Sequence, residues 1–329
     1  IQPLNWRLGV PELSRILNDG EPNVLVYADE YTDTVEQLEF KKAGVNKLSY
    51  GPESDGSYET VIANSIDSEP ASSTEVGGDD PVMILYTGGT TGESKGALHT
   101  HKSVYIGMMN QTVAERILPT DIYMLTGQMF HIPIALAINY MAHGCPLVLI
   151  NFEARQALEV IQKERVSAFL GITTMLNWMM AVEDFKDFDL SSLRNIQYGG
   201  GPMPHSVVKA ALAAFPCTII QGYGQTEGMT MSFLSQEDHI RALKGDHPER
   251  LASCGREGFV TSIKLVDSGG NLVPKDGATP GEILVQSEAN MIGYWRRPDL
   301  TAETIRDGWL WTGDIAFWDE EGYIFIVDR

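Results

Sequence analysis

Short apolar runs alternate with helical patterns along the first three quarters of the chain. Runs at 24–27, 82–86, 146–150, 168–172, 195–198 and 218–221 read as buried strands by their length and composition. Between them, Ala154–Glu164 and 206–214 show helical patterns. This strand–helix alternation predicts an α/β fold built on a largely parallel sheet. From about Gly255 the rhythm changes. Segments 259–266, 282–286 and 323–327 read as strands separated by Gly-, Asp- and Pro-containing turns, which predicts a small β-rich subdomain. The stretch 51–81 has no Lys or Arg and many Asp, Glu, Ser and Gly residues, and reads as a solvated connection. No internal repeat is visible.

The most apolar window, 132–150, is no membrane span. Pro133, Asn139, His143 and the Gly144-Cys145-Pro146 break divide it into a helix and then a strand. With 329 residues and 43% hydrophobic content, the chain predicts a globular protein of two or three units with a true core. Its net charge of −20 and lack of Lys/Arg clusters argue against nucleic acid as a partner. Cys145, Cys217 and Cys254 have no CxxC or metal spacing and read as reduced thiols packed as small hydrophobes, which points to the cytoplasm.

Chemistry enters with Tyr86-Thr-Gly-Gly-Thr-Thr-Gly-Glu-Ser-Lys95-Gly96, a strand running into a loop that ends in a lysine. Gly88, Gly89 and Gly92 let backbone N–H groups approach an anion, Thr87, Thr90 and Thr91 add hydroxyls, and Lys95 adds charge. The Walker loop is excluded, because Gly96 stands where that loop needs a Ser or Thr for magnesium. A second loop, Gln221-Gly222-Tyr223-Gly-Gln-Thr226-Glu227-Gly228, follows a strand at the edge where open α/β sheets bind ligands. There Tyr223 offers a flat face to a base, Thr226 a hydroxyl to a phosphate, and Glu227 the hard oxygen that Mg²⁺ takes. The cluster Gly199-Gly200-Gly201-Pro202 would admit a base or acyl chain against bare backbone, and Asp314 suits the vicinal hydroxyls of a ribose. His99-Thr-His101 has no third ligand near it and reads as structural.

These motifs occur in series with GEILV at 281–285, MIGYW at 291–295, GWLWTGD at 308–314 and a final Asp-Arg pair ending in Arg329. The chain resembles the adenylate-forming superfamily of acyl-CoA synthetases, peptide-synthetase adenylation domains and beetle luciferases, and most resembles the fatty-acyl-CoA ligases. The resemblance implies parallel-sheet α/β subdomains followed by a small β-barrel-like subdomain. It divides the chain into 1–80, a partial first α/β subdomain with the acidic linker; 81–254, the nucleotide-binding subdomain; and 255–329, the β-rich subdomain. It implies that Thr87 to Thr91, with Gly92 and Lys95, wrap the ATP phosphates, and that Gly200 to Pro202 and Gln221 to Tyr223 hold adenine. Thr226 would contact the α-phosphate, Glu227 would bind Mg²⁺, and Asp314 with Arg329 would hold the ribose. His131, Thr173, Gly199 and Met229 would line the acid site, and Lys95, Thr226 and Glu227 would act in catalysis. Two positions depart from the family pattern: Gly88 replaces a frequent Ser or Thr, and Ser94 a frequent Pro, and neither removes a charge.

The activity implied is ATP- and Mg²⁺-dependent adenylation of a fatty or aryl acid and transfer of the acyl group to coenzyme A. His131 stands where amino-acid-activating members place an aspartate, which disfavours an amino acid. A luciferase-like or other adenylating enzyme, and a non-catalytic nucleotide- or acyl-binding module, are the alternatives. A homodimer is a possible assembly. Family members continue past the Asp-Arg pair into a mobile domain of roughly 100 residues carrying a catalytic lysine. The sequence therefore reads as a fragment, expected to bind nucleotide but to adenylate slowly by itself.

Overall fold

The computed structural model describes residues 1–68, 75–88, 94–130, 132–201 and 203–328. Its main sheet has seven strands in the order Arg256–Glu257, Met229–Leu234, Thr218–Gln225, Asn195–Gly199, Ala168–Leu170, Tyr123–Leu125, Leu147–Leu149. The run from Thr218–Gln225 to Leu147–Leu149 is parallel, and the other two strands join antiparallel. Parallel neighbours need crossovers. Helices Ile132–Ala142, Ala154–Glu164, Thr173–Met180 and His205–Ala214 each connect consecutive parallel strands.

Side chains alternate between the two faces of this sheet. On one face Phe169, Ile196 and Ile219 pack with Ala157, Leu158 and Ile161 of helix Ala154–Glu164. On the other, Tyr123, Leu125 and Ala168 pack with Leu136 and Tyr140. Asn195 and Gln197 occupy that second face of the central strand, buried although polar. The window 132–150 is the expected helix and strand, Ile132–Ala142 and Leu147–Leu149.

The strand expected at 82–86 is present but belongs to a different sheet. Pro81–Thr87 folds back antiparallel on Lys95–Thr100, and Gly293–Tyr294 adds a third strand on the far side of Lys95–Thr100. The run at 24–27 also departs from its expected burial: Val24 and Val26 are exposed on a two-stranded parallel pair with Asn46–Tyr50. The acidic stretch carries an exposed helix, Ser57–Asn64. Toward the end of the chain, Ser262–Val266, Gly281–Gln286, Trp309–Trp318, Ile305–Arg306 and Ile324–Asp328 form an antiparallel sheet. Bulges in two of its pairings increase the local twist and favour its half-barrel curl.

Among the described residues no helix is long and apolar enough to cross a membrane. The three cysteines are free, and burial pushes the thiols of Cys217 and Cys254 up to about 12, so both stay neutral.

Helix His101–Glu115 leaves the hairpin through a reciprocal cap. The Ser103 amide donates to Thr100 Oγ1 at 3.1 Å, and the Thr100 amide donates to Ser103 Oγ at 3.0 Å. Thr100→Ala removes one arm and is expected to cost about 1 kcal/mol of stability. A shift of the urea midpoint to lower concentration, with unchanged slope, is the measurement that checks it.

Candidate active site

The ends of the phosphate-type loop are fixed by the hairpin that carries it. Thr87 pairs with Lys95 and Tyr86 with Gly96, so the strand pairing brings the loop's two ends together. Gly89, Thr90, Thr91 and Gly92 lie outside the described residues, as do His131, Pro202 and Arg329. Lys95 extends over the ring of Tyr294, its Nζ 5.0 Å from the centroid. The Tyr294 hydroxyl donates to Glu227 Oε1 at 2.7 Å. Burial, with the Glu227 carboxylate beside it, raises the phenol above its ordinary value and keeps it a neutral donor. A row Lys95, Tyr294, Glu227 thus spans from the hairpin to the second loop.

That second loop is less of a loop than its glycines imply. The strand Thr218–Gln225 runs through Gly222 and Tyr223, and the chain then turns at Thr226, Glu227 and Gly228 into Met229–Leu234. A Cβ at Gly224 would lie 2.0 Å from the Met229 carbonyl oxygen, so the close return of the chain requires glycine there. Met229, the first residue after the turn, holds a φ of 56°, a conformation that costs a residue with a Cβ about 1 kcal/mol.

The turn is held from outside by residues distant in sequence. Met291 N donates to the Glu227 carbonyl at 2.7 Å. His99 Nε2 lies 2.8 Å from the Thr226 carbonyl oxygen, and its Nδ1 lies 3.3 Å from Ser103 Oγ. Burial lowers the pKa of His99, and the carbonyl acceptor selects the neutral tautomer with its proton on Nε2. His99 therefore positions Thr226. Among the described residues no group of three or more His, Cys, Asp or Glu side chains could hold a metal. Magnesium needs only one or two carboxylates when phosphates and water complete its shell, so a single glutamate, Glu227, fits it.

Asp314 is buried on the long strand Trp309–Trp318. Its Oδ2 accepts from the Tyr223 hydroxyl and from Gln225 Nε2, each at 2.6 Å. Burial, then the Asp314 charge, raises the Tyr223 phenol and keeps it a donor. The carboxylate thus ties the base-side strand to the curled sheet.

A cavity of about 600 Å³ joins most of these parts. Thr87, Gly88 and Lys95 line it from the hairpin, and Gly199, Gly200 and Gly222 from the ends of two parallel strands. Thr226, Glu227 and Met229 complete the polar side. A Cβ at Gly199 would sit 2.3 Å from the Gly222 carbonyl oxygen, so only glycine leaves these strands in contact beside the cavity. Tyr223 and Asp314 are joined to the wall through Gln225, itself a lining residue. Thr173, Gly201 and Gln221 do not line this cavity, and Thr173 opens the helix Thr173–Met180.

Sequence reasoning missed Tyr294, Gln225, Glu115 and Gln197. Tyr294 lies within the MIGYW motif, so the signal was present without a role; Glu115 and Gln197 carry no motif. The arrangement offers a cation and a carboxylate on one side of a cleft, a glycine-lined slot and an apolar branch. Those features suit an anionic, phosphate-bearing ligand with an organic tail.

The chain is similar over nearly all its length to known proteins. The profile of the family described as AMP-binding enzyme matches residues 1–295. A feruloyl-CoA synthase from an Amycolatopsis species is 32% identical over 330 residues, which is 99% of this chain and 62% of that protein. The long-chain-fatty-acid–CoA ligase FadD13 of Mycobacterium tuberculosis is 31% identical over 332 residues, 99% of this chain and 63% of that one. The chain therefore spans less than two thirds of the length of these curated relatives. The inhibitor-bound N-terminal domain of FACL13 from Mycobacterium tuberculosis matches with a TM-score of 0.87 at 30% identity, covering 99% of this chain and 79% of that one.

Proposed function

The chain belongs to the family of AMP-binding enzymes, and on that premise we propose that the whole protein is an acid–thiol ligase. It activates a fatty or aryl carboxylic acid with ATP and passes the acyl group to coenzyme A. One observation carries this reading: Lys95, Glu227 and the Gly199–Gly200 slot share a single cavity with an apolar branch. The names of the relatives, a feruloyl-CoA synthase and a long-chain-fatty-acid–CoA ligase, support the acid class and the thiol acceptor.

In this reading a substrate carboxylate oxygen attacks the α-phosphorus of ATP, and the bond to the pyrophosphate oxygen breaks. The thiol of coenzyme A then attacks the acyl carbonyl and releases AMP. Both partners of the first step are anions, so the protein's task is positioning and charge neutralisation. Lys95 and the loop amides offset phosphate charge, with Thr87, Gly88, Gly89, Thr90, Thr91 and Gly92 forming the wrap. Thr226, fixed by His99, presents its hydroxyl to the α-phosphate. Glu227, oriented by Tyr294, would hold Mg²⁺, which would supply charge neutralisation at the phosphates. Gly200, Gly201, Pro202, Gln221, Gly222 and Tyr223 hold adenine, and Asp314 and Arg329 the ribose. Free, neutral thiols suit a cytoplasmic setting.

His131, Thr173, Gly199 and Met229 are assigned to the acid side, and the absence of an aspartate at 131 sets the expected selectivity. Pyrophosphate exchange by the whole protein is expected with unsubstituted fatty or aryl acids and not with α-amino acids. Exchange driven by a proteinogenic amino acid, with none from the acid panel, overturns the assignment.

A further inference from the structure

The three-stranded sheet that carries Lys95 turns one face to the cavity and the other to helix Val10–Gly20 near the start of the chain. Residues opposite one another in a sheet share a face, and neighbours along a strand alternate. Thr87 lies opposite Lys95, and Ala97 lies between Leu85 and Tyr294. Leu85, Thr87 and Lys95 line the cavity, and Tyr294 meets both Lys95 and Glu227, so these two rows form the site face. The row between them, Tyr86, Gly96 and Trp295, points the other way; Trp295 continues the pairing, its amide donating to the Gly96 carbonyl at 2.7 Å. Gly96 brings no side chain to this back face. The Tyr86 ring lies over it, and a Cβ there would come within 3.1 Å of Tyr86 Cζ.

One residue grips this back row at both of its edges. Asp19, in the last turn of helix Val10–Gly20, accepts the Tyr86 hydroxyl on Oδ2 at 2.5 Å and the Trp295 indole N–H on its backbone carbonyl oxygen at 2.9 Å. Leu13 and Leu17 anchor that helix in a core of its own with Leu25, Val35 and Leu38, so the grip comes from outside the sheet it holds. Burial, then the Asp19 carboxylate, raises the Tyr86 phenol above its ordinary value and keeps it a donor. Tyr86 is the residue before Thr87, and Trp295 the residue after Tyr294. Planar peptides join these neighbours, so a displacement of the back row moves the site row with it.

Resting on the ligase reading above, we propose that Asp19 is a positioning residue for Mg-ATP, acting through Tyr86 and Trp295 to hold Lys95 and Tyr294, and through Tyr294 Glu227, where the phosphates are received. AMP lacks the β- and γ-phosphates and does not sense this placement. Asp19→Ala removes the carboxylate arm and leaves the carbonyl arm in place, so it loosens the hairpin edge without freeing the sheet.

The test titrates the whole protein with Mg-ATP and with AMP by calorimetry and follows pyrophosphate exchange. Asp19→Ala and Tyr86→Phe are each expected to weaken Mg-ATP about 10-fold while AMP stays within about 3-fold, and to slow exchange about 10- to 100-fold, the cost of a small misplacement of charged groups. Tyr86→Phe keeps the ring and tests the same bond should Asp19→Ala fail to fold. Asp19→Asn, whose amide oxygen still accepts the Tyr86 hydroxyl, should bind Mg-ATP within about 3-fold of the parent protein. Asp19→Ala combined with Tyr86→Phe should cost no more than either alone, because both remove one bond. Arg296→Gln breaks the exposed pair of Arg296 with Glu21 at the same junction, touches neither arm, and should leave both ligands as they were. If folded Asp19→Ala and Tyr86→Phe proteins bind Mg-ATP as the parent does, or lose AMP equally, or if Arg296→Gln loses as much, Asp19 is a structural contact only and the ligase reading stands. A parent protein that binds neither ATP nor AMP removes the ligase reading and this inference with it.

Discussion

Lys95→Ala and Glu227→Gln are each expected to slow adenylate formation by the whole protein about 100- to 1000-fold, the usual cost of removing one positioned charge or donor from a charged transition state. The two substitutions remove charge without dismantling the site. Lys95 rests on the face of Tyr294, and its loss leaves the hairpin pairing of Thr87 with Lys95 intact, because that pairing runs through backbone. In Glu227→Gln the amide oxygen still accepts from the Tyr294 hydroxyl, and the Glu227 carbonyl still accepts from Met291 N, so the turn keeps its supports. Both changes should weaken Mg-ATP much more than AMP, since the charge they handle lies on the β- and γ-phosphates. Pyrophosphate exchange reads the rate, and calorimetry with ATP and AMP reads the split. Equal losses for ATP and AMP in a folded variant would remove both residues from these roles.

Much of the fold was legible because parallel strands buried on both faces leave a plain apolar signature. Asn195–Gly199 and Ala168–Leu170 sit where their runs placed them. The hairpin of the phosphate-type loop was not legible: Val82-Met-Ile-Leu85 looks the same in a parallel or an antiparallel sheet, and the choice is made by pairing with Lys95–Thr100. Val24 and Val26 misled for a similar reason, as β-branched residues favour strands whether or not anything covers them. At the site, motif glycines and the Thr226-Glu227 pair announced themselves locally. Their supports did not, because His99 reaches Thr226 across 127 residues and Tyr294 reaches Glu227 across 67. Gln197 was hidden inside the apolar run Ile196-Gln-Tyr198, where one polar residue reads as noise until its burial beside the Tyr140 hydroxyl is seen.

Asp314→Ala should produce the opposite pattern from Lys95→Ala, weakening ATP, AMP and acyl-adenylate mimics alike by about 100-fold. The carboxylate does more than face a ligand. Its Oδ2 is the shared acceptor for the Tyr223 hydroxyl and Gln225 Nε2, and these two residues shape the strand that runs past Gly222 and Gly224. Hydrogen bonds to a charged group are worth about 1.5–3 kcal/mol each, so losing both takes the charged acceptor from the Tyr223 hydroxyl and leaves the base-side strand tied only through Gln225 Nε2, which still donates to the Thr312 carbonyl at 2.9 Å. Nucleotide and adenylate share the base and ribose ends, so every ligand carrying them loses equally, whatever its phosphate count. Asp314→Asn separates the carboxylate's charge from its shape: an amide oxygen can still accept, so affinity should fall less than in Asp314→Ala while the thermal transition stays near that of the parent protein. If Asp314→Asn and Asp314→Ala both remain folded and bind AMP as the parent does, Asp314 neither orders the base-side strand nor meets the ribose, and its assignment to the nucleotide site is wrong.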